Sequence, residues 1–286
     1  MDHNTRPFRS VLYIPGSKER ALDKARSLAV DAIIFDLEDA VAPEAKIAAR
    51  ATLAAALEQG GYGSRFRIIR INALDTPWGA GDVAALRSAG ADAILLPKVN
   101  SAADVQALAE MLGNDTPIWA MMETPLGILN AAEIAAHPRL MGMVAGTNDL
   151  AKDINSRSRA DRLPMMMALQ TILMAARAYD VVAIDGVYNQ FKDDDGLRVE
   201  CDQGRDMGFD GKTLIHPAQI DVTNTAFAPS DAEIDLAHRQ IAAFEETESA
   251  GQGVAVVDGK IVENLHVVSA KAMIAKAAAI AALLAK

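Results

Sequence analysis

Short apolar runs alternate with amphipathic stretches along most of this chain. Each run ends in polar or charged residues, and helix-like sequence follows it. The eight runs cover residues 10–15, 32–38, 65–72, 93–98, 117–124, 140–149, 182–188 and 211–216. Parallel strands that are buried on both faces have this continuous apolar character. Eight such strands separated by helices predict an α/β fold, namely a closed (β/α)8 barrel of the TIM type.

The pattern changes after residue 216. Residues 230–248 read as a helix that Ser230 caps, a Gly-rich and β-branched stretch with an Asp258-Gly259 turn follows, and an Ala-rich helix closes the chain. This final segment of about sixty residues is short for an independent domain. We therefore predict a catalytic barrel over residues 1–225 and a C-terminal lid or oligomerisation arm over residues 226–286.

Composition narrows the class of protein. The chain has 286 residues, of which 51% are hydrophobic, and this suits one barrel with an appendage. Its net charge of −10 argues against nucleic acid as a partner. A single cysteine, Cys201, excludes an intramolecular disulfide and favours the reducing cytoplasm. The N-terminus lacks the apolar core of a signal peptide, and Lys271 and Lys276 leave the final apolar stretch too short for a bilayer, so we predict no membrane association.

In barrels of this type the catalytic side chains lie at the carboxyl ends of the strands. Polar residues stand at or near the predicted end of most runs. They are Asp36, Glu38, Arg70, Asn72, Lys98, Glu123, Asp149, Asp185 and His216. The sequence therefore predicts an active site at this edge of the barrel. Among these residues His216 is assigned a structural role, because no partner for a catalytic histidine is evident.

Glu123 and Asp149 follow the fifth and sixth runs, so they would leave adjacent strands about 4.8 Å apart. Two carboxylates without histidine or cysteine nearby suit a hard cation that keeps water and substrate as its other ligands. We predict that Glu123 and Asp149 bind Mg2+, with Mn2+ as a possible substitute. The alternative is that Glu123 caps the next helix and that Asp149 pairs with Lys152.

Arg70 ends the third run after a β-branched stretch. A buried arginine needs anionic partners, and its planar fork matches a carboxylate or an enolate. We predict that Asp36, Glu38 and Asp39 orient Arg70 while the substrate occupies its other edge. The alternative is a salt bridge from Arg70 to Glu38 or Asp39 that only ties strands together.

Lys98 has two interpretations, a contact to a ligand charge or an ion pair with Glu123. No Walker loop, nucleophile elbow or Cys–His pair at ligand spacing is present. With those motifs absent, the candidate chemistry consists of the carboxylate metal site, an arginine and further acids. Such a set suits the stabilisation of an enolate when a carbon–carbon bond next to a carbonyl is made or broken.

Several motifs together resemble one family. They are RSVLYIPGS, FDLEDAV, RIN, LLPK, METPLGI, GTNDLAKD, AIDGVY, GFDGKTLIHPAQI and DGKIVENLHV. In the same order they resemble the citrate lyase β-subunit-like and malyl-CoA lyase group of the HpcH/HpaI aldolase–citrate lyase family. The resemblance covers nearly the whole chain. It implies a Mg2+-dependent (β/α)8 barrel that acts on coenzyme A thioesters, as a homotrimer or hexamer.

The resemblance also implies site residues. The family's metal carboxylates fall on Glu123 and Asp149, and its active-site arginine falls on Arg70. An acidic residue in the C-terminal turn, which reaches a neighbouring subunit as the proton-transfer group, falls on Glu263. Family members carry Asp there, so the longer side chain departs from the pattern.

The coenzyme A of this family would lie across the barrel mouth, with Arg9 and Lys18 as phosphate contacts. Lys98, Glu123 and Arg70 would contact the rest of the substrate.

The expected reaction is a Claisen-type cleavage or formation of a 3-hydroxyacyl-CoA such as malyl-CoA, citramalyl-CoA or citryl-CoA. Its products would be an acyl-CoA and an oxoacid. Three alternatives remain open. One is a pyruvate-type class II aldolase that uses no coenzyme A, and another is a malyl-CoA thioesterase. The third is a β subunit that is active only within a multi-subunit citrate lyase.

Overall fold

Eight parallel strands close into a barrel in the computed structural model, which describes residues 6–249, 251 and 253–284. The strands are β1 Ser10–Pro15, β2 Ala32–Asp36, β3 Phe66–Arg70, β4 Ala93–Leu96, β5 Ile118–Met122, β6 Leu140–Ala145, β7 Val182–Asp185 and β8 Gly211–Leu214. Each pairs with the next in sequence, and β8 pairs with β1. The predicted (β/α)8 barrel is confirmed. Residues 1–5 of the predicted barrel and residues 250, 252 and 285–286 of the predicted arm lie outside the described residues.

Ten helices follow or separate these strands in the described part of the barrel unit, Phe8–Phe227. They are α1 Glu19–Ala25, α2 Lys46–Gln59, α3 Gly79–Leu86, α4 Ala102–Leu112, α5 Pro125–Leu129, α6 Ala131–Ala135, α7 Thr147–Asp153, α8 Met166–Ala178, α9 Asp194–Met207 and α10 Ile220–Phe227. Local signals set several of their ends. Ser101 and Asp104 form a capping box at the start of α4, and Gly113 ends it in the left-handed conformation.

The strands are buried on both faces, so side chains alternate between two apolar layers. Inward-facing residues such as Val11, Ile68 and Trp119 fill the barrel interior. Their neighbours, such as Leu12 and Ile69, pack outward against the helices in a larger cluster. This alternation decides which polar residues reach the mouth of the barrel and which point toward the helices.

A charged cluster of four side chains lies in the outer layer between the last two strands and α9. Asp185 ends β7 and Lys212 lies on β8, and both side chains are 0% exposed. Lys212 Nζ lies 3.1 Å from Asp185 Oδ2 and 2.6 Å from Glu200 Oε1. Arg162 Nη1 donates to both Asp185 oxygens at 2.7 and 2.8 Å. Asp185 therefore faces the helices, and its predicted place among the active-site residues is wrong.

A second compact unit comprises the described parts of Met1–Pro7 and Ala228–Lys286. It contains α11 Asp231–Ser249, β9 Ala255–Val257, β10 Lys260–Val262 and α12 Asn264–Leu284. Ser230 begins α11 with a reciprocal contact to Glu233. The two strands form an antiparallel hairpin whose turn residues, Asp258 and Gly259, have φ of 50° and 75°. An Asp-Gly pair suits this left-handed turn. Buried apolar side chains such as Phe244 and Val262 form the core of the unit.

The final helix is continuous through both of its lysines. By length and composition alone, Asn264–Leu283 is long and apolar enough to cross a membrane, with a mean hydropathy of 1.4. Lys271 and Lys276 interrupt the apolar composition of this stretch and not the helix, which runs through both of them. Each lysine near the middle of a spanning helix would cost about 2.5–3.5 kcal/mol. That cost makes the membrane interpretation weak.

Candidate active site

The polar side chains at the barrel mouth continue the inward-facing positions of their strands. Ile34 and Ile68 face the interior, and two positions later Asp36 and Arg70 do the same. Asp36 and Arg70 are also direct register partners across β2 and β3. Met121 of β5 faces inward in the same way, and Glu123 follows two positions later. The alternation therefore brings an arginine and two acids to one end of the barrel.

Arg70 is the centre of a buried charged group, with 6% of the residue exposed. Its Nε and Nη2 each lie 2.7 Å from one oxygen of Asp36. Nη1 lies 2.9 Å from Glu38 Oε2 and 3.4 Å from Asp39 Oδ2. Burial is the largest single effect and would lower the pKa of Arg70, but the Asp36 charge, its hydrogen bonds and the other acidic groups nearby together outweigh burial and hold that pKa well above its usual value. The arginine is therefore a fixed positive charge.

Asp36 is held ionised by the same pair. Burial would raise the pKa of its carboxyl, but the Arg70 charge and hydrogen bonds bring that pKa below its usual value. The backbone amides of Glu38 and Ala40 donate to its two oxygens at 2.9 Å. Asp36 thus fixes both the charge and the plane of the Arg70 guanidinium.

Tyr13 is a site residue that the sequence analysis missed. Its ring lies under the Arg70 guanidinium, with 4.8 Å from the ring centroid to Cζ. Its hydroxyl lies 3.4 Å from Met121 Sδ, and burial raises the pKa of the phenol above its usual value. Tyr13 is the polar-tipped, inward-facing residue of the first strand, and that alternation was the signal that could have found it.

The carboxyl of Glu38 is shifted in the opposite direction to that of Asp36, because its pKa lies above the usual value. Burial raises its pKa to about 8; Arg70 opposes that rise, and the negative charges of Glu123, Asp39 and Asp36 add to it. Its Oε2 lies close to Arg70 but lacks the alignment of a hydrogen bond. Glu38 is therefore largely protonated near neutral pH, unlike Asp36, although both carboxyls contact the same arginine.

Glu123 and Asp149 form the second acidic group, and Lys98 lies between them. The Lys98 backbone amide donates to Glu123 Oε1 at 2.8 Å, and Nζ lies 3.5 Å from the same oxygen. Nζ also pairs with Asp149 Oδ2. Burial raises the pKa of Glu123. Burial also acts to raise the pKa of Asp149, but the hydrogen bond and charge of Lys98, with smaller contributions from Glu123 and Lys152, together lower it. The two carboxyls are themselves within hydrogen-bonding reach.

Asp149 does not end the sixth strand, as the sequence analysis placed it. Strand β6 ends at Ala145, and Asp149 lies in the first turn of α7, where an acid is favoured by the helix dipole. Gly146 makes the approach possible, because a Cβ at that position would lie 2.3 Å from Glu123 Cβ. The turn at Gly146 therefore brings Asp149, in the first turn of α7, next to Glu123, which follows β5.

The donor set at Glu123 and Asp149 fits a hard divalent cation. Both donors are carboxylates, and the Lys98 ammonium already places a positive charge between them. Within the described residues, no third aspartate, glutamate, histidine or cysteine joins these two to form a metal-binding group. A two-carboxylate site leaves most positions to water and substrate, and Mg2+ characteristically keeps such ligands.

The structure separates Arg9 from the other predicted site residues. Arg9 precedes β1 and Asp31 precedes β2, at the amino-terminal ends of the strands and opposite the mouth. The Arg9 guanidinium donates to both Asp31 oxygens at 2.9 and 2.8 Å, and the residue is 5% exposed. The predicted phosphate contact of Arg9 is therefore wrong. Lys18 is exposed at the start of α1, after the carboxyl end of β1.

Asn72 and His216 have structural partners. Asn72 accepts from Lys46 Nζ at 2.6 Å and donates to Asp82 at 2.7 Å. His216 Nδ1 accepts from the Ala218 amide at 3.1 Å and caps a short 3-10 helix. Both residues thus stabilise the chain where it leaves the strands.

A cavity of about 310 Å3 opens at the mouth, which suits a small organic acid. Its walls include Tyr13, Arg70, Glu123, Asp149 and Thr213. A larger groove of about 470 Å3 lies between the surface helices α5, α6 and α8, but its lining residues carry no ionisable side chain. We assign the chemistry to the smaller cavity, because it alone of the two contains the perturbed charges.

The chain matches the model of the protein family described as HpcH/HpaI aldolase/citrate lyase over residues 9–217. One relative, named (3S)-malyl-CoA thioesterase, from Cereibacter sphaeroides, is 66% identical over 282 residues, covering 99% of each chain. Citrate lyase subunit beta of Escherichia coli strain K12 is 34% identical over 284 residues, covering 96% of this chain and 94% of the relative. The resemblance drawn from the motifs is confirmed.

Among solved structures, CitE from Mycobacterium tuberculosis in complex with magnesium, acetoacetate and coenzyme A superposes with a TM-score of 0.82. The two chains are 32% identical, and the match covers 96% of this chain and 99% of CitE. A second CitE structure from the same organism contains oxaloacetate and magnesium.

We predict that Glu38 makes the protein less stable as the pH rises. Its pKa is about 8 in the folded protein and near 4.5 in the unfolded chain, so between these values only the unfolded state loses the proton. That difference lowers the free energy of unfolding with increasing pH. Glu38→Gln should remove this slope, so the variant should gain at least ~1 kcal/mol relative to the wild type between pH 5 and 8.5.

The measurement is urea-induced unfolding in EDTA across this pH range. Asp39→Asn, which removes an exposed carboxyl next to Glu38, is the matched control and should follow the wild type. Parallel pH profiles of the wild type and Glu38→Gln would contradict the assigned protonation.

Proposed function

The chain belongs to the HpcH/HpaI aldolase/citrate lyase family, and from this we propose that it hydrolyses (3S)-malyl-CoA to malate and coenzyme A. The observation that carries the proposal is the 66% identity, over 99% of both chains, to a relative named as a thioesterase for that compound. A match of this extent includes the barrel and the C-terminal unit together. The proposal adopts one of the alternatives that the sequence left open.

The second candidate is a carbon–carbon lyase that splits a 3-hydroxyacyl-CoA into an acyl-CoA and an oxoacid. It is the reaction that the sequence analysis placed first. The relatives named citrate lyase subunit beta support it, at 34–36% identity. Arg70 and its acids also suit an enolate. Both candidates use the same thioester and the same cavity, so they differ in the bond that breaks.

We further propose that Glu123 and Asp149 hold Mg2+, or Mn2+ in its place. The fit of the two-carboxylate set described above supports this, and the related CitE was crystallised with magnesium, acetoacetate and coenzyme A. When bound, such an ion supplies Lewis-acid stabilisation of charge on oxygen. Lys18 is the remaining proposed contact for a coenzyme A phosphate, and Lys98 for the carboxylate of the acyl group.

Arg70 is the proposed oxyanion donor. In hydrolysis, the water oxygen bonds to the thioester carbonyl carbon, the carbon–sulfur bond breaks, and the thiolate takes up a proton to leave as coenzyme A. Negative charge grows on the carbonyl oxygen during the first step. Asp36 keeps the guanidinium charged and planar, so its stabilisation of that oxygen needs little reorganisation.

A proton must also leave the attacking water, and Glu263 is our proposed group. It lies between β10 and α12. Its backbone amide donates to His266 Nδ1 at 3.0 Å, and this hydrogen bond does not involve its carboxylate. In the family role it would serve a neighbouring subunit of a trimer or hexamer. We propose such an oligomer, working in the cytoplasm.

The proposed hydrolysis is tested by its products. Purified protein with Mg2+ and (3S)-malyl-CoA should release free thiol and malate in equal amounts, without acetyl-CoA or glyoxylate. Thiol titration and chromatography of the acids measure both routes. EDTA and the Glu123→Ala variant should each abolish turnover while circular dichroism stays unchanged. Formation of glyoxylate and acetyl-CoA would select the lyase, and full activity in EDTA would remove the metal from the mechanism.

Arg70→Lys tests the oxyanion role. The lysine keeps the positive charge but loses the two-pronged contact to Asp36, so turnover should fall by about 10²-fold or more, as when an oxyanion donor is removed. Steady-state kinetics should show the loss in kcat, and circular dichroism should show that the variant is folded. Turnover close to that of the wild type would return Arg70 to a role in tying strands together.

A mixing experiment tests Glu263 across subunits. Arg70→Ala and Glu263→Gln should each be inactive, because general acid–base catalysis typically contributes ~10²–10⁴-fold. Chains of the two variants, dissociated and reassembled together, should regain part of the activity, because some sites then receive an intact Arg70 and an intact Glu263. Mixed oligomers that stay inactive, although each parent is folded, would contradict action in trans.

A further inference from the structure

Lys98 contacts both proposed metal ligands through two different groups. Its backbone amide donates to Glu123 Oε1 at 2.8 Å. Its ammonium pairs with Asp149 Oδ2 and lies 3.5 Å from Glu123 Oε1. The main chain thus positions one carboxylate, and the side-chain charge joins that carboxylate to the other.

The backbone at Lys98 supports a functional origin for this arrangement. Its φ is 55°, a left-handed conformation that non-glycine residues adopt at a cost. The residue follows β4 and Pro97, so the turn aims the amide and the side chain at the same pair of acids. Strained positions of this kind cluster at active sites, where the surrounding structure stabilises them.

An ammonium and a divalent cation compete for the same carboxylates. Glu123 is 2% exposed, so its charge needs a nearby cation. The oxygens that pair with Lys98 Nζ, Asp149 Oδ2 and Glu123 Oε1, are donors that a metal at this pair would use. Two cations in that space would also repel each other. Binding of one therefore requires the other to move.

We propose that Lys98 sets the metal affinity of this site as a competing internal cation, which a divalent ion must displace from Asp149 and Glu123. The proposal rests on the metal site in the proposed function. Competition also fixes the sign of a mutational effect, which a simple positioning role does not. Removal of the lysine charge should tighten metal binding. The Lys98 side chain is 40% exposed, so the displaced ammonium can reach solvent without leaving a buried charge behind.

The test measures metal affinity directly, with no substrate present. Isothermal titration with MgCl2, and electron paramagnetic resonance of free Mn2+ during titration with MnCl2, are applied to the full-length protein. Lys98→Met keeps the length of the side chain and the backbone amide but removes the charge. We expect it to bind both ions about tenfold more tightly than the wild type, which corresponds to about 1.4 kcal/mol.

Two matched variants separate contact from general charge. Lys152 lies on α7, is exposed, and acts on Asp149 through its charge. Lys152→Met removes the same charge without a contact to the pair and should change the affinity by less than about threefold, as expected for a screened surface charge. Lys98→Arg retains a cation and should stay near the wild type. Thermal melts establish that each variant is folded.

The outcomes are distinguishable. Tighter binding by Lys98→Met alone supports the competing cation. Equal or weaker binding by Lys98→Met, with clear binding by the wild type, overturns it and leaves the proposed metal site intact. Equal tightening by Lys98→Met and Lys152→Met also overturns it, because general charge would then explain the effect. Absence of metal binding in every variant overturns both the competition and the metal site.

Discussion

The active site depends on keeping one guanidinium charged inside a barrel that excludes most water. Arg70 is 6% exposed, and a buried charge is tolerated only when paired and hydrogen-bonded. Asp36 meets that need with two hydrogen bonds. The next carboxyl, Glu38, also faces Arg70, but it gains too little from that charge to offset its own burial and remains protonated up to a high pH. One arginine thus faces two carboxyls in different ionisation states.

In both proposed reactions, the metal and the arginine would divide the stabilisation of negative charge. Both thioester hydrolysis and cleavage between carbons place negative charge on an oxygen beside the acyl carbon. Arg70 is a fixed cation, whereas the proposed ligands Glu123 and Asp149 would offer oxygens to an exchangeable one. The choice between reactions then depends on whether water or the carbon–carbon bond is aligned with the thioester. Such a division is compatible with the similarity of this chain to relatives named as a thioesterase and as citrate lyase subunits.

Hydrophobic patterning predicted the barrel because strands that are buried on both faces leave continuous apolar runs. It also located Asp36, Arg70 and Glu123, since these residues end or follow such runs. It could not assign their direction, which depends on a one-residue alternation fixed only by strand register. Asp185 was therefore predicted to be catalytic although it faces the helices. Arg9 was placed at the mouth although it precedes the first run, which puts it at the amino end of β1, where it pairs with Asp31.

The charged cluster behind β7 and β8 has a consequence for how this sequence can vary in evolution. Arg162 and Lys212 carry two positive charges, and Asp185 and Glu200 carry two negative charges, so the group is neutral only as a whole. Loss of one member leaves a buried charge without its partner, which typically costs ~3–5 kcal/mol of stability. Because Arg162 also ends the loop that follows α7, the helix that bears Asp149, drift at these outer positions is coupled to the active site. Homologues should therefore replace the four residues as a covarying set.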